Sequence, residues 1–143
     1  MQKGDVFGVV IVVALLVGVG AFFAYAPKAS RVVYAPTEIA GSSLTLLTQT
    51  EERSVLVAAE VKQVGFVTVH QAIGDAPGPV IGQSPLLAVG SHPELSLETT
   101  EPLRPPNDYF VLLFVDDGDG VFEAGIDLPV MSEGQVVKQR LSL

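Results

Sequence analysis

Tyr109 to Val115 reads YFVLLFV, seven apolar residues in a row with no glycine or proline, closed on the far side by Asp116-Asp117-Gly118-Asp119-Gly120. A run of this length, rich in aromatic and branched side chains and bounded by turn residues, predicts a strand. Successive side chains of a strand point to opposite faces, so a strand apolar on both faces is covered on both, as at the centre of a sheet.

Working outward, similar runs recur about every ten residues: Leu44 to Gln49, Ser54 to Val61, Gly65 to Gln71, Val80 to Ser84, Leu95 to Thr99 and Val136 to Leu143. Several alternate with period two. Val55, Val57, Ala59 and Val61 share one face, Phe66, Thr68 and His70 oppose Val67 and Val69, and Val137, Gln139 and Leu141 oppose Val136, Lys138 and Arg140. Such alternation marks half-buried strands. The intervening Gly74 to Pro79, His92-Pro93, Pro102 to Pro106 and Asp116 to Gly120 break long helices. Seven short strands with frequent turns predict an all-β fold, an immunoglobulin-like antiparallel β-sandwich over residues 44–143.

Further out, Val6 to Ala26 (VFGVVIVVALLVGVGAFFAYA) holds 21 residues without a charge. At about 1.5 Å per residue a helix of about 20 apolar residues crosses a hydrocarbon core of about 30 Å. In lipid a single segment satisfies its backbone only as a helix, which overrides the weak helix propensity of Val and Ile. The stretch exceeds the apolar region of a cleaved signal peptide, and its one A-x-A site, Ala24-Tyr25-Ala26, runs directly into Pro27. Residues 1–26 are therefore expected to be a retained transmembrane helix, a signal anchor, and residues 27–43, rich in Pro, Ala, Gly and Ser, a stalk with a short edge strand at Arg31 to Tyr34. Basic flanks do not set the orientation, because Lys3 and the amino terminus balance Lys28 and Arg31. With only five residues before the helix, the folded domain follows it, and an extracytoplasmic placement in a single-pass membrane protein is expected. Gly4, Gly8, Gly18 and Gly20 offer small residues for helix self-association in lipid.

Beyond Arg31 the chain carries five basic and fifteen acidic residues, net −10. That sign repels phosphate backbones, so nucleic acid is not expected as a partner. The absence of cysteine removes disulfides, thiolate chemistry and cysteine-based metal centres. Ser84, Ser91 and Ser96 occur without a G-x-S-x-G elbow, and no catalytic residues are expected.

The densest polar cluster runs from Asp116 to Glu123, with Asp127 beyond. Calcium takes six to eight oxygens, and carboxylates at alternate positions around glycines supply them. Alignment to an EF-hand loop places Val115 and Ile126 at ligand positions, which excludes that motif. The expected ligands of a different calcium site are Asp117, Asp119, Glu123 and Asp127; the competing expectation is a solvated acidic turn. His70, His92 and Met131 are the residue types of a copper site, but none has a partner nearby in sequence, and structural roles are expected for the histidines.

From about Ser54 to Leu143 the chain resembles an uncharacterised extracytoplasmic all-β domain family common in archaeal, particularly halophilic, cell-envelope proteins. The resemblance lies in Val64 to His70, Val80 to Ser84 with Leu87 and Gly90-Ser91-His92, Leu112 to Glu123, and Asp127 to Val130. The chain departs from the usual pattern in being less acidic and in its Pro/Gly-rich insertion at Gly74 to Pro79. The resemblance implies a secreted or membrane-anchored module and no catalytic residues. An apolar N-terminal helix before a β-sandwich also resembles archaeal pilin and archaellin subunits, and Lys3-Gly4 before Asp5 resembles a minimal leader-cleavage site. Two roles are thus expected: an anchored binding or structural domain at the cell envelope, or a filament subunit.

Overall fold

The computed structural model describes residues 36–143. The expected helix over Val6 to Ala26 and the edge strand at Arg31 to Tyr34 lie outside them. Among the described residues there are ten strands and no helix: β1 (Thr37–Glu38), β2 (Ser43–Glu51), β3 (Ser54–Val61), β4 (Gly65–Ile73), β5 (Ala76–Gln83), β6 (Gly90–Glu98), β7 (Asp108–Val115), β8 (Leu128–Ser132), β9 (Gln135–Val136) and β10 (Lys138–Ser142). The all-β expectation holds, and the strand count rises from seven to ten.

The strands form two sheets. The larger runs β1-β8-β7-β4-β5, with β10 also on β7 and β9 on β8; the smaller runs β2-β3-β6. Every pairing is antiparallel except β1 with β8. β7 lies where its sequence demands. Along one edge it pairs with β4, from Val115 opposite Gly65 to Tyr109 opposite Gln71. Its other edge is divided: Leu112 to Asp108 face β10, and Phe114 and Val115 face β8.

The two faces of β7 enter two apolar clusters. Tyr109, Val111 and Leu113 join Val67, Val69, Val130 and Leu141 from the larger sheet and Leu44, Val55, Val57, Ala59, Val61 and Leu97 from the smaller, forming the sandwich core. Phe110, Leu112 and Phe114 point the other way and pack with Ala72, Phe122 and Val136. Each fully buried aliphatic or aromatic side chain contributes about 1.5–3 kcal/mol, so both faces hold β7 in place. Lys138 and Arg140 lay their cations over the Phe110 ring, at 5.3 and 5.5 Å.

Where the sequence reading stopped short, edge chemistry explains the difference. β5 begins at Ala76 and includes Pro77 and Pro79, and β6 includes His92-Pro93, although both segments lie between the strands expected from sequence. Each is the last strand of its sheet, and an edge strand tolerates a residue without an N–H. Pro93 sits where the β3–β6 register slips between Val57 and Ala59, a bulge that needs one fewer ladder bond. β8, β9 and β1 escape a periodicity test because they are short and mostly half-buried. Part of the segment expected as a stalk belongs to the sheet: the Ile39 N–H donates to the Met131 carbonyl (2.8 Å), and its side chain is buried. Glu38 accepts from the backbone N–H groups of Glu133 (2.8 Å) and Gly134 (3.3 Å), holding the β8–β9 turn, where both residues have positive φ.

Gly65 shows how closely β4 and β7 approach. A Cβ at that position would stand 1.9 Å from the Phe114 carbonyl oxygen, a distance that no side chain tolerates.

Candidate functional site: the acidic turn after the central strand

The twelve residues from Asp116 to Asp127 join β7 to β8 and carry five carboxylates with no basic residue. Side-chain to backbone bonds shape the turn. The Asp116 carboxylate accepts from Gly118 N–H (3.1 Å) and Gly120 N–H (3.1 Å). Asp117 accepts from Asp119 N–H (3.3 Å), and Asp119 from Val121 N–H (2.9 Å). These are Asx turns, in which a short acidic side chain caps the backbone two residues on.

Asp127 closes the loop. It is 1% exposed, and its two oxygens accept from Asp117 N–H (3.0 Å) and Glu123 N–H (2.8 Å), fastening both ends of the turn. Phe122 anchors the middle, packing edge-on against Phe66 (5.7 Å between centroids) and Phe114 (5.2 Å), which are opposite each other in the β4–β7 ladder. An exposed hydrophilic turn is thereby attached to the outer aromatic cluster of the larger sheet.

Within this frame the carboxylates converge in two groups that share Asp117. Asp117, Asp119 and Glu123 form one, Asp116, Asp117 and Asp127 the other, each with ligand atoms within 4.8 Å of one another. Oxygens at such separations suit the 2.3–2.6 Å bonds of calcium. The four residues expected from sequence all lie in the turn, divided between the groups. Asp116 opens the same acidic run but is not one of those four; the second group brings it in beside Asp117 and Asp127. Electrostatics reflects the crowding. The bond from Asp119 N–H pulls the Asp117 carboxyl down, but burial and the charges of Asp119 and Asp127 outweigh it and push the group above the ordinary 3.8.

The histidines occupy different sheets. His70, on β4, is 6% exposed and stacks on Phe114 (5.9 Å); its Nδ1–H donates to the Gly78 carbonyl (2.9 Å), which leaves Nε2 to accept from the Thr68 hydroxyl (2.7 Å). Burial lowers its pKa from 6.5. His92, on β6, bonds through Nε2 to the Ala88 carbonyl (2.8 Å). Among the described residues no group of metal-ligand type includes either histidine. Ser84 is buried, accepting from Val67 N–H (2.9 Å) and donating to the Pro85 carbonyl (2.8 Å), a structural role.

Two packed sheets with an aromatic-anchored acidic turn define an all-β sandwich domain. A family model described as a domain of unknown function, DUF7282, matches residues 42–143, and the chain belongs to that family. No curated protein and no solved structure matches the chain.

Proposed function

We propose that this protein is a membrane-anchored extracytoplasmic domain, immunoglobulin-like in architecture, with a binding or structural role at the cell envelope. The observation that carries this reading is the uncharged stretch Val6 to Ala26, whose length and composition suit a bilayer, set before a domain whose described residues are all-β. The acidic surface is in keeping with a domain held outside, where it adds solubility and repels anionic headgroups. No helix among the described residues is long and apolar enough to cross a membrane.

The test is extraction of the protein from its native membrane, with protease protection and mass spectrometry of its N-terminus. Resistance to alkaline carbonate, a domain accessible from outside and an N-terminus at Met1 support the anchor. The Lys3-Gly4 step before Asp5 favours a second reading, a filament subunit; an N-terminus at Asp5 together with filaments in negative stain would establish that instead. A soluble chain lacking the stretch would overturn both.

Within this role the acidic turn is a calcium site built from Asp117, Asp119, Glu123 and Asp127 with Asp116. The convergence of these carboxylates supports it. Millimolar Ca²⁺ is expected to raise Tm in the wild type and not in Asp117→Ala or Asp119→Ala. An unchanged wild-type Tm would end the idea.

A further inference from the structure

Beside the acidic turn lies a groove of about 550 Å³, lined by Gln63 and Val64 from the β3–β4 turn, Leu86 from the β5–β6 connection, Val115 and Asp116 at the end of β7, and the Gly118 to Gly120 backbone with Asp119. We propose that this groove binds a polypeptide segment presenting a lysine or arginine flanked by aliphatic side chains.

Three features argue for that occupant. The apolar lining is open to solvent: Val64 is 40% exposed and Leu86 44%. Apolar side chains gathered at one concave place mark an interaction site more than the same residues scattered singly. The polar rim is acidic, for Asp116 and Asp119 line the groove and neither belongs to an ion pair among the described residues. Lys62, next to Gln63, is held by Glu60 at 2.7 Å. The walls are also braced in advance. Gly65 and Leu87 exchange backbone bonds (2.8 and 3.2 Å) that fix the Leu86 segment to β4, and the Asp116 N–H donates to the Val64 carbonyl (3.0 Å), joining two walls directly. A preformed site loses little ordering entropy on binding.

Charge selects among occupants. A second copy carries net −8 and is repelled, as are anionic lipid and nucleic acid, whereas a basic segment gains from the rim while its aliphatic neighbours cover Val64, Leu86 and Val115. The inference rests on the binding role proposed above and not on the membrane anchor.

The experiment uses the full chain in detergent micelles with a chelator present, so that calcium does not enter. A fluorescent peptide of sequence Gly-Val-Lys-Leu-Arg-Val-Gly is titrated, with its Glu-for-Lys and Glu-for-Arg counterpart as control. Saturable binding of the basic peptide, weakened by salt and absent for the acidic one, is expected. Leu86→Lys should weaken it about tenfold and Asp119→Asn about fivefold or less, with Tm little changed because both side chains are exposed. Val64→Lys repeats the first test should Leu86→Lys fail to fold. Equal binding of both peptides, no binding by the wild type, or binding undiminished in Leu86→Lys and Val64→Lys would overturn the proposal. So would a concentration-dependent dimer in sedimentation that Leu86→Lys abolishes, since the groove would then belong to a second copy. A chain that proves soluble yet binds would remove the anchor and leave the groove standing.

Discussion

His70 is the clearest case of one residue whose surroundings set its chemistry. Its ring is buried against Phe114 with both nitrogens engaged, and burial lowers its pKa from 6.5, so the folded state favours neutral imidazole. The unfolded chain then takes up the proton more readily. This contribution to stability is complete above the ordinary value of 6.5 and is lost as pH falls below it toward the lower folded value. Urea midpoints measured between pH 8 and 5 are expected to fall with pH in the wild type and to flatten over that window in His70→Gln. Asp127 poses the opposite problem, a buried carboxylate whose task is to satisfy two backbone N–H groups. Asp127→Ala leaves both donors unpaired and should cost about 1–3 kcal/mol in chemical denaturation, with faster hydrogen exchange at Asp117 and Glu123.

Among elements, the β4–β7 pair is the most constrained. Gly65 allows its backbone to meet Phe114 where any Cβ would collide, so Gly65→Ala is expected to destabilise by about 1–3 kcal/mol, more than a cavity-free, same-size change at exposed Val64. How legible each element was depended on the physics that formed it. β3 and β7 were readable to within a residue because burial imposes their patterns, one-sided for Ser54–Val61 and two-sided for Asp108–Val115. β5 and β6 were read too short, since Pro77, Pro79 and Pro93 are penalised inside a sheet and tolerated at its edge, and edge position is a tertiary fact. β8 was missed altogether: it is five residues long with only Val130 buried, and it becomes a strand by filling the end of β7 that β10 leaves open. In the candidate site the carboxylates were legible as a cluster, but their division around Asp117 and the anchoring by Phe122 follow from contacts across the turn that no spacing rule encodes.

Over the whole molecule, charge is the dominant long-range property. Fifteen carboxylates against five cations beyond Arg31 place like charges within one another's reach, and among the described residues the ion pairs are few: Lys62 with Glu60, and Arg140 with Asp75 and Asp108. Screening should therefore help more than it harms. Raising NaCl from about 0.1 to 1 M shortens the Debye length from about 10 to 3 Å, and Tm is expected to rise; a fall would show that the attractive pairs dominate. The divided edge of β7 carries a further consequence, for the timing of biogenesis. When a ribosome has just extruded Val115, the most apolar strand of the domain has met β4 but neither strand of its other edge, and its last neighbour arrives only with residue 142. The nascent chain thus stays unsealed until synthesis has passed that residue, and in the meantime it offers chaperones a sticky half-made surface.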